Sequence, residues 1–192
     1  MNRKPAFLFL LAVLTLPAAF PAMAESEPEG RLWIEPLSMI YGWTGGTPRV
    51  IAGGGFPLGQ TLALDFRILL DGSFQEGEEY GQIKLESLLR WFPGTGREGA
   101  RQKGLYLAGG AGLAAARTWG GTDLTVLAGS LTGEAGWRWE ILSRRFFLEP
   151  FGGASVLSGP RFGGPGGWET NTGLNLGLRC GITLGRGSSG KP

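Results

Sequence analysis

The sequence predicts an all-β chain: an eight-stranded antiparallel up-and-down transmembrane β-barrel behind a cleaved signal peptide. One observation behind this is the run from Asn171 to Leu184. There Thr172, Leu174, Leu176, Leu178, Cys180, Ile182 and Leu184 fall on one face, and Asn171, Gly173, Asn175, Gly177, Arg179, Gly181 and Thr183 on the other. A period of two means a strand with one oily and one polar surface. The same alternation recurs upstream. The third observation is an export signal: Arg3 and Lys4, an apolar stretch from Ala6 to Leu16 broken by Pro17, and the small-x-small pattern Ala22-Met23-Ala24. That stretch is too short for a spanning helix, which needs about 20 apolar residues. The expected division is therefore a signal peptide at 1–24, a barrel domain at 25–185 and a polar tail at 186–192.

Composition narrows the class further. No later apolar run is long enough for a helix to span a bilayer. With Arg3 and Lys4 removed, the 18 basic residues fall to equality with the 16 acidic ones. A net charge near zero does not favour a nucleic-acid binder. The single Cys excludes an internal disulfide framework. The 36 Gly are spread through β-patterned segments, where they leave room for large neighbours inside a small barrel and permit strong coiling. Apolar residues at 42%, with 7 Trp and 11 Phe, argue against a disordered Gly-rich chain.

Taken in order, strands are expected at Arg31 to Trp43, Pro48 to Leu58, Gln60 to Asp71, Glu79 to Phe92, Gly104 to Arg117, Asp123 to Ile141, Arg145 to Leu157 and Asn171 to Gly185. The third is the clearest, with Leu62, Leu64, Phe66, Ile68 and Leu70 opposite Thr61, Ala63, Asp65 and Arg67. The breaks are rich in Gly, Pro and Asp. Thr44 to Thr47, Asp71 to Glu78, Thr118 to Thr122 and Ser158 to Thr170 fall at one end, which is extracellular in this reading. Pro57 to Gly59, Pro93 to Lys103 and Leu142 to Arg144 fall at the other, with both termini. Pro93 to Lys103 is long for a periplasmic turn. No helix of useful length is evident.

The facing of the oily side separates a soluble barrel, with apolar residues inside, from a membrane barrel, with the order reversed. Trp91, Trp137 and Trp139 sit near strand ends in phase with the apolar face, which suits an aromatic girdle. In the membrane orientation Glu35, Asp65, Glu86, Glu134, Glu140 and Glu149 point inward with Arg49, Arg67, Lys84, Arg90, Arg138 and Arg179. Charges so confined need partners, so a network of ion pairs filling the lumen is expected. Eight strands enclose little more than side chains.

Signal peptide, alternation and terminal strand, with Gly133-Glu134-Ala135-Gly136-Trp137-Arg138-Trp139 and Asn175-Leu176-Gly177-Leu178-Arg179, make the chain resemble the small eight-stranded outer-membrane barrels, the OmpA/OmpX-like group. The resemblance implies location and fold: the outer membrane of a diderm bacterium, with membrane lipid and the barrel-assembly machinery as partners. Members of that group serve as anchors, adhesins, complement-evasion factors or conduits for small apolar solutes, so it leaves the activity open. The last strand departs from the group by ending on Leu184 rather than an aromatic residue.

The chain contains no His, so a Ser/His/Asp arrangement is impossible and the barrel enzymes that rely on a His base are not matched. A non-enzymatic role is expected, with no cofactor and no metal: a zinc site of the usual type is excluded, and Asp71, Glu76, Glu78 and Glu79 read as a solvated acidic loop. Gly110-Ala111-Gly112-Leu113-Ala114-Ala115 fits a relaxed dinucleotide fingerprint but lacks the helix that the fingerprint requires. Cys180 lies on the lipid phase as a small apolar side chain. Loop contacts to an unidentified extracellular ligand are expected from Phe74, Arg161, Phe162 and Trp168. The expected protein is a monomeric outer-membrane barrel with a structural or surface-binding role. A conduit for small apolar or ionic solutes and a soluble periplasmic ligand-binding barrel are the alternatives.

Overall fold

The computed structural model describes residues 30–44, 47–75, 78–94, 102–119, 124–141, 145–163 and 166–184, all within one compact unit, Glu29–Gly185. The segments read as signal peptide and polar tail lie outside the described residues. The elements are β1 (Gly30–Ile34), α1 (Pro36–Thr44), β2 (Arg49–Pro57), β3 (Leu62–Gln75), β4 (Glu78–Trp91), β5 (Gly104–Trp119), β6 (Leu124–Ile141), β7 (Phe146–Phe162) and β8 (Gly167–Leu184). Each strand pairs antiparallel with the next, and β8 pairs with β1, so the eight strands close into a barrel in simple sequential order. The closing ladder is short, pairing Gly30–Ile34 with Cys180–Leu184, and over that length it removes the free sheet edges that β1 and β8 would otherwise expose.

The alternation in the sequence becomes an inside and an outside. On β3, Ala63, Asp65 and Arg67 point inward and are buried, while Phe66 is exposed. On β6, Ser130, Thr132, Glu134 and Arg138 are buried between exposed Leu131, Trp137 and Trp139. The most exposed large apolar side chains are Leu174 at 87%, Leu176 at 84%, Leu113 at 74% and Leu131 at 68%. Ile68 and Leu70 share this outward phase but are buried. The barrel is thus polar within and apolar without, the reverse of a soluble barrel.

Glycine follows the inner aromatics. Trp33 pairs across the sheet with Gly53 and Gly181, Tyr106 with Gly136, Phe147 with Gly181, and Phe151 with Gly177. A Cβ at Gly136 would lie 2.5 Å from the Tyr106 hydroxyl, and one at Gly177 would lie 2.5 Å from the Phe151 ring. The large rings therefore lie flat over their glycine partners, which is how a lumen this narrow holds them.

Three expectations are corrected. The first strand does not run from Arg31 to Trp43; it ends at Ile34, and the helix α1 follows. Pro36 supplies a fixed φ at the first helical position, where its missing N–H costs nothing. The Met39 amide donates to the Glu35 carbonyl at 3.3 Å, the first turn of the helix. Gly42 then packs so closely on the backbone of Thr47 and Arg49 that a Cβ there would have no room. The second correction concerns Ser158 to Thr170, which is mostly strand: β7 continues to Phe162 and β8 begins at Gly167. Ladder pairing carries it, from Ser158 with Thr170 to Arg161 with Gly167. The third is Asp71 to Glu78, where β3 continues to Gln75 and β4 starts at Glu78.

Candidate functional site

The half of the barrel nearest the termini is filled by charge. Buried there and at mid-height are Glu35, Asp65, Glu86, Glu134 and Glu149, with Arg31, Arg67, Lys84, Arg90, Arg138 and Arg179. Arg179, on β8, is fully buried and clamps Glu134 of β6 through two hydrogen bonds, Nη1 to Oε1 at 2.7 Å and Nη2 to Oε2 at 2.8 Å. Its Nε donates to Glu35 at 3.1 Å, and Nη1 also donates to the Tyr106 hydroxyl at 3.1 Å. The guanidinium stacks on Phe151, 3.9 Å from the ring centroid, and on Trp33 at 4.7 Å. Forked donors and planar stacking are what arginine offers and lysine does not.

The rest of the network ties β1, β3, β4, β6 and β7 together. Arg67 donates through Nε to Glu86 at 2.8 Å, and Lys84 meets the same carboxylate at 2.6 Å. Ser130 and Thr132 also donate to Glu86, at 3.1 and 2.6 Å. Nearer the termini, Asp65 is held between Arg31 and Arg90, each at 2.8 Å. Glu149 is held by Arg90 and by Arg138, whose Nε donates at 2.6 Å. Arg138 stacks on Phe147 and Phe92, and Arg90 on Tyr106. Beneath them Ala63, Phe92, Tyr106 and Phe151 form an apolar base. Gln102, at the end of the long β4–β5 connection, tucks under it, accepting from Arg31 at 3.0 Å and donating to the Gly59 carbonyl at 3.0 Å.

Above this plug the other half of the lumen is open. A cavity of about 170 Å³ is bounded by inner-face residues including Gln82, Ala116, Val126, Leu157 and Asn171. Its walls mix short apolar side chains, Ala114, Ala116 and Ala128, with the polar and charged Tyr80, Arg117 and Glu169.

Ten of the residues expected in the lumen are brought into this network. Two are not. Arg49 pairs with Asp71 at 2.6 Å near the far end of the barrel, where its side chain is 42% exposed. Glu140 keeps the inward phase but sits half-buried at the end of β6, outside the ion pairs among described residues. Position along the strand, which alternation does not report, separates them from the plug. Arg31, Tyr106 and Gln102 were missed. The first shares the phase of Trp33 and Glu35, and that phase was the available signal; Gln102 lies in an irregular segment with none.

The residues expected as loop contacts take other places. Phe162 and Trp168 are strand residues on the outer, apolar surface, and the Trp168 indole donates to Ser158 at 2.7 Å. Arg161 pairs with Glu169 at 3.2 Å across the β7–β8 ladder. The backbone of Phe74 belongs to β3, opposite Glu79, and its side chain lies outside the described residues. Glu76 is also outside them. The glycines of the dinucleotide-like run lie on β5, with no helix following, which removes the phosphate site that the fingerprint requires. Comparison of the chain with protein families, curated proteins and solved structures finds no match to any of them.

Proposed function

We propose that this chain is an integral outer-membrane β-barrel of the small eight-stranded kind, non-enzymatic, with a structural or surface-binding role and a lumen closed by ion pairs. The observation that carries the reading is the outer surface, an apolar band between two aromatic belts. Trp91, Trp137, Trp139 and Phe146 are exposed toward one end, and Trp119, Phe162 and Trp168 toward the other. On the β4–β5 ladder Trp119 stands beside Glu79 and Trp91 beside Leu107. The intervening strand, at about 3.3 Å per residue and a tilt of about 40°, separates the belts by roughly 30 Å. That spacing suits a band about 25 Å tall flanked by girdles. In water such a surface would cost far more than the few hundred Å² of apolar patch that soluble monomers expose.

The partners of this reading are membrane lipid and the machinery that folds barrels into the outer membrane; any ligand would meet the extracellular rim. Carbonate extraction of membranes tests it directly: the protein stays in the pellet, and its release into the soluble fraction refutes the reading. Planar-bilayer recording tests the closed lumen. The expected trace shows no steady conductance, and a stable open channel refutes the plug.

A further inference from the structure

One cation stands in the outward phase. Arg117 on β5 shares the phase of Leu107, Leu113 and Trp119, whereas Arg67, Lys84, Arg90, Arg138, Arg161 and Arg179 take the lumen phase of their strands. The strand at Arg117 borders the lumen cavity, but its side chain is exposed, and the guanidinium lies 5.8 Å from the centroid of the outward Trp119 ring. A charge on the lipid face of a barrel is costly at the bilayer centre and cheap only near the headgroups. Arg117 meets that condition, two residues from Trp119 in the aromatic belt away from the termini.

Ladder register fixes what lies around it. Arg117 stands between Gly81 of β4 and Thr125 of β6. The next outward row toward mid-height is Ile83, Ala115 and Leu127, followed by Leu85, Leu113 and Gly129. Ala115 and Gly129 are small among larger neighbours, and these two rows line an apolar groove of about 400 Å³ on the outer face. Trp119 folds back over β4, where a Cβ at Gly81 would lie 3.0 Å from its indole ring. A cation, a hydroxyl and an indole therefore cap the rimward end of the groove. Glu79, opposite Trp119, lies one row nearer the rim and bounds this cap on the side of water.

Resting on the membrane reading above, we propose that the outer face of β4, β5 and β6 is a binding site for a lipid with a phosphate-bearing, net negative headgroup. The lipid belongs to the leaflet at the end of the barrel away from the termini. The Arg117 guanidinium and the Thr125 hydroxyl donate to its phosphate oxygens, and an acyl chain lies in the groove. Arginine presents forked donors that match phosphate. Free phosphate would leave the groove empty, and a lipid without net charge would leave the cation uncompensated. An anionic amphiphile answers both parts.

Native mass spectrometry of the barrel, released from detergent micelles that hold equal phosphatidylglycerol and phosphatidylcholine, tests this. The native chain should retain phosphatidylglycerol over phosphatidylcholine by about fivefold, the worth of one basic side chain beside anionic lipid. Arg117→Gln should bring the two lipids to equal retention. Arg161→Gln, which removes a lumen-phase arginine near the same rim, should keep the native preference. Gly129→Leu, which has space beside Ser158, fills the groove and should lose most of the retained lipid of either kind. Ala115→Leu gives the same readout if Gly129→Leu does not fold. An unchanged preference in Arg117→Gln, or unchanged retention in the groove variant, overturns the site in barrels shown folded by gel migration. A native chain that stays soluble and monomeric once detergent is removed refutes the membrane reading, and the site with it.

Discussion

Arg179 lies within ion-pair distance of three of the five carboxylates buried in the lumen, Glu35, Glu134 and Glu149. It touches Glu134, Glu35 and Tyr106 by hydrogen bonds and two aromatic rings by stacking. Removing one partner of a buried pair leaves the other charge without compensation, at a cost of about 3–5 kcal/mol. Arg179→Leu should therefore lower barrel stability by that amount in urea unfolding from vesicles. A second loss from Glu134→Leu should be much smaller in the Arg179→Leu background than alone, because coupled residues are not additive. The aromatic–glycine pairs predict a different signature. Gly177→Val drives a side chain into Phe151 and should cost about 1–3 kcal/mol as overpacking, with part of that loss recovered by Phe151→Ala in the same unfolding assay. Which residues face inward was legible from phase alone for Asp65, Glu134 and Arg179. Which of them meet was not, since Arg179 reaches a residue 45 positions away across the lumen.

Strand elements are legible wherever alternation is strong. β4 and β6 begin and end within about two residues of the sequence reading, as β8 does at its C-terminal end. The failures share a cause. At β1 the alternation of Arg31, Trp33 and Glu35 stops at Pro36, and adjacent Met39 and Ile40 break a period of two. At β7 and β8 the residues Gly159, Pro160 and Gly167 look like turn formers, yet Pro160 lies within the β7 ladder. A neighbouring strand overrides weak local propensity there. The outer face of β6 carries a prediction of its own. Leu131→Arg places a charge in the apolar band and should destabilise the vesicle-inserted barrel by about 2–4 kcal/mol. In a soluble barrel the same exposed change would stay within about 0.5 kcal/mol.

For the whole molecule, the ion-pair network and the closed ladder predict a barrel that resists detergent. Unboiled protein should migrate faster than boiled protein on a gel, and the charge-network variants should lose that difference at lower temperature than the native chain. One oily and one polar face per strand, repeated until the count is even, was determined by the sequence by itself, because side-chain phase is a local property of extended backbone. With it came the near balance of charge that the interior requires. Only the tertiary structure decided which acid meets which base, that a plug closes one half of the lumen while a cavity remains in the other, and that a helix replaces part of one wall. Those depend on ladder register and on distances across the lumen between residues far apart in the chain, which alternation along a single strand does not encode.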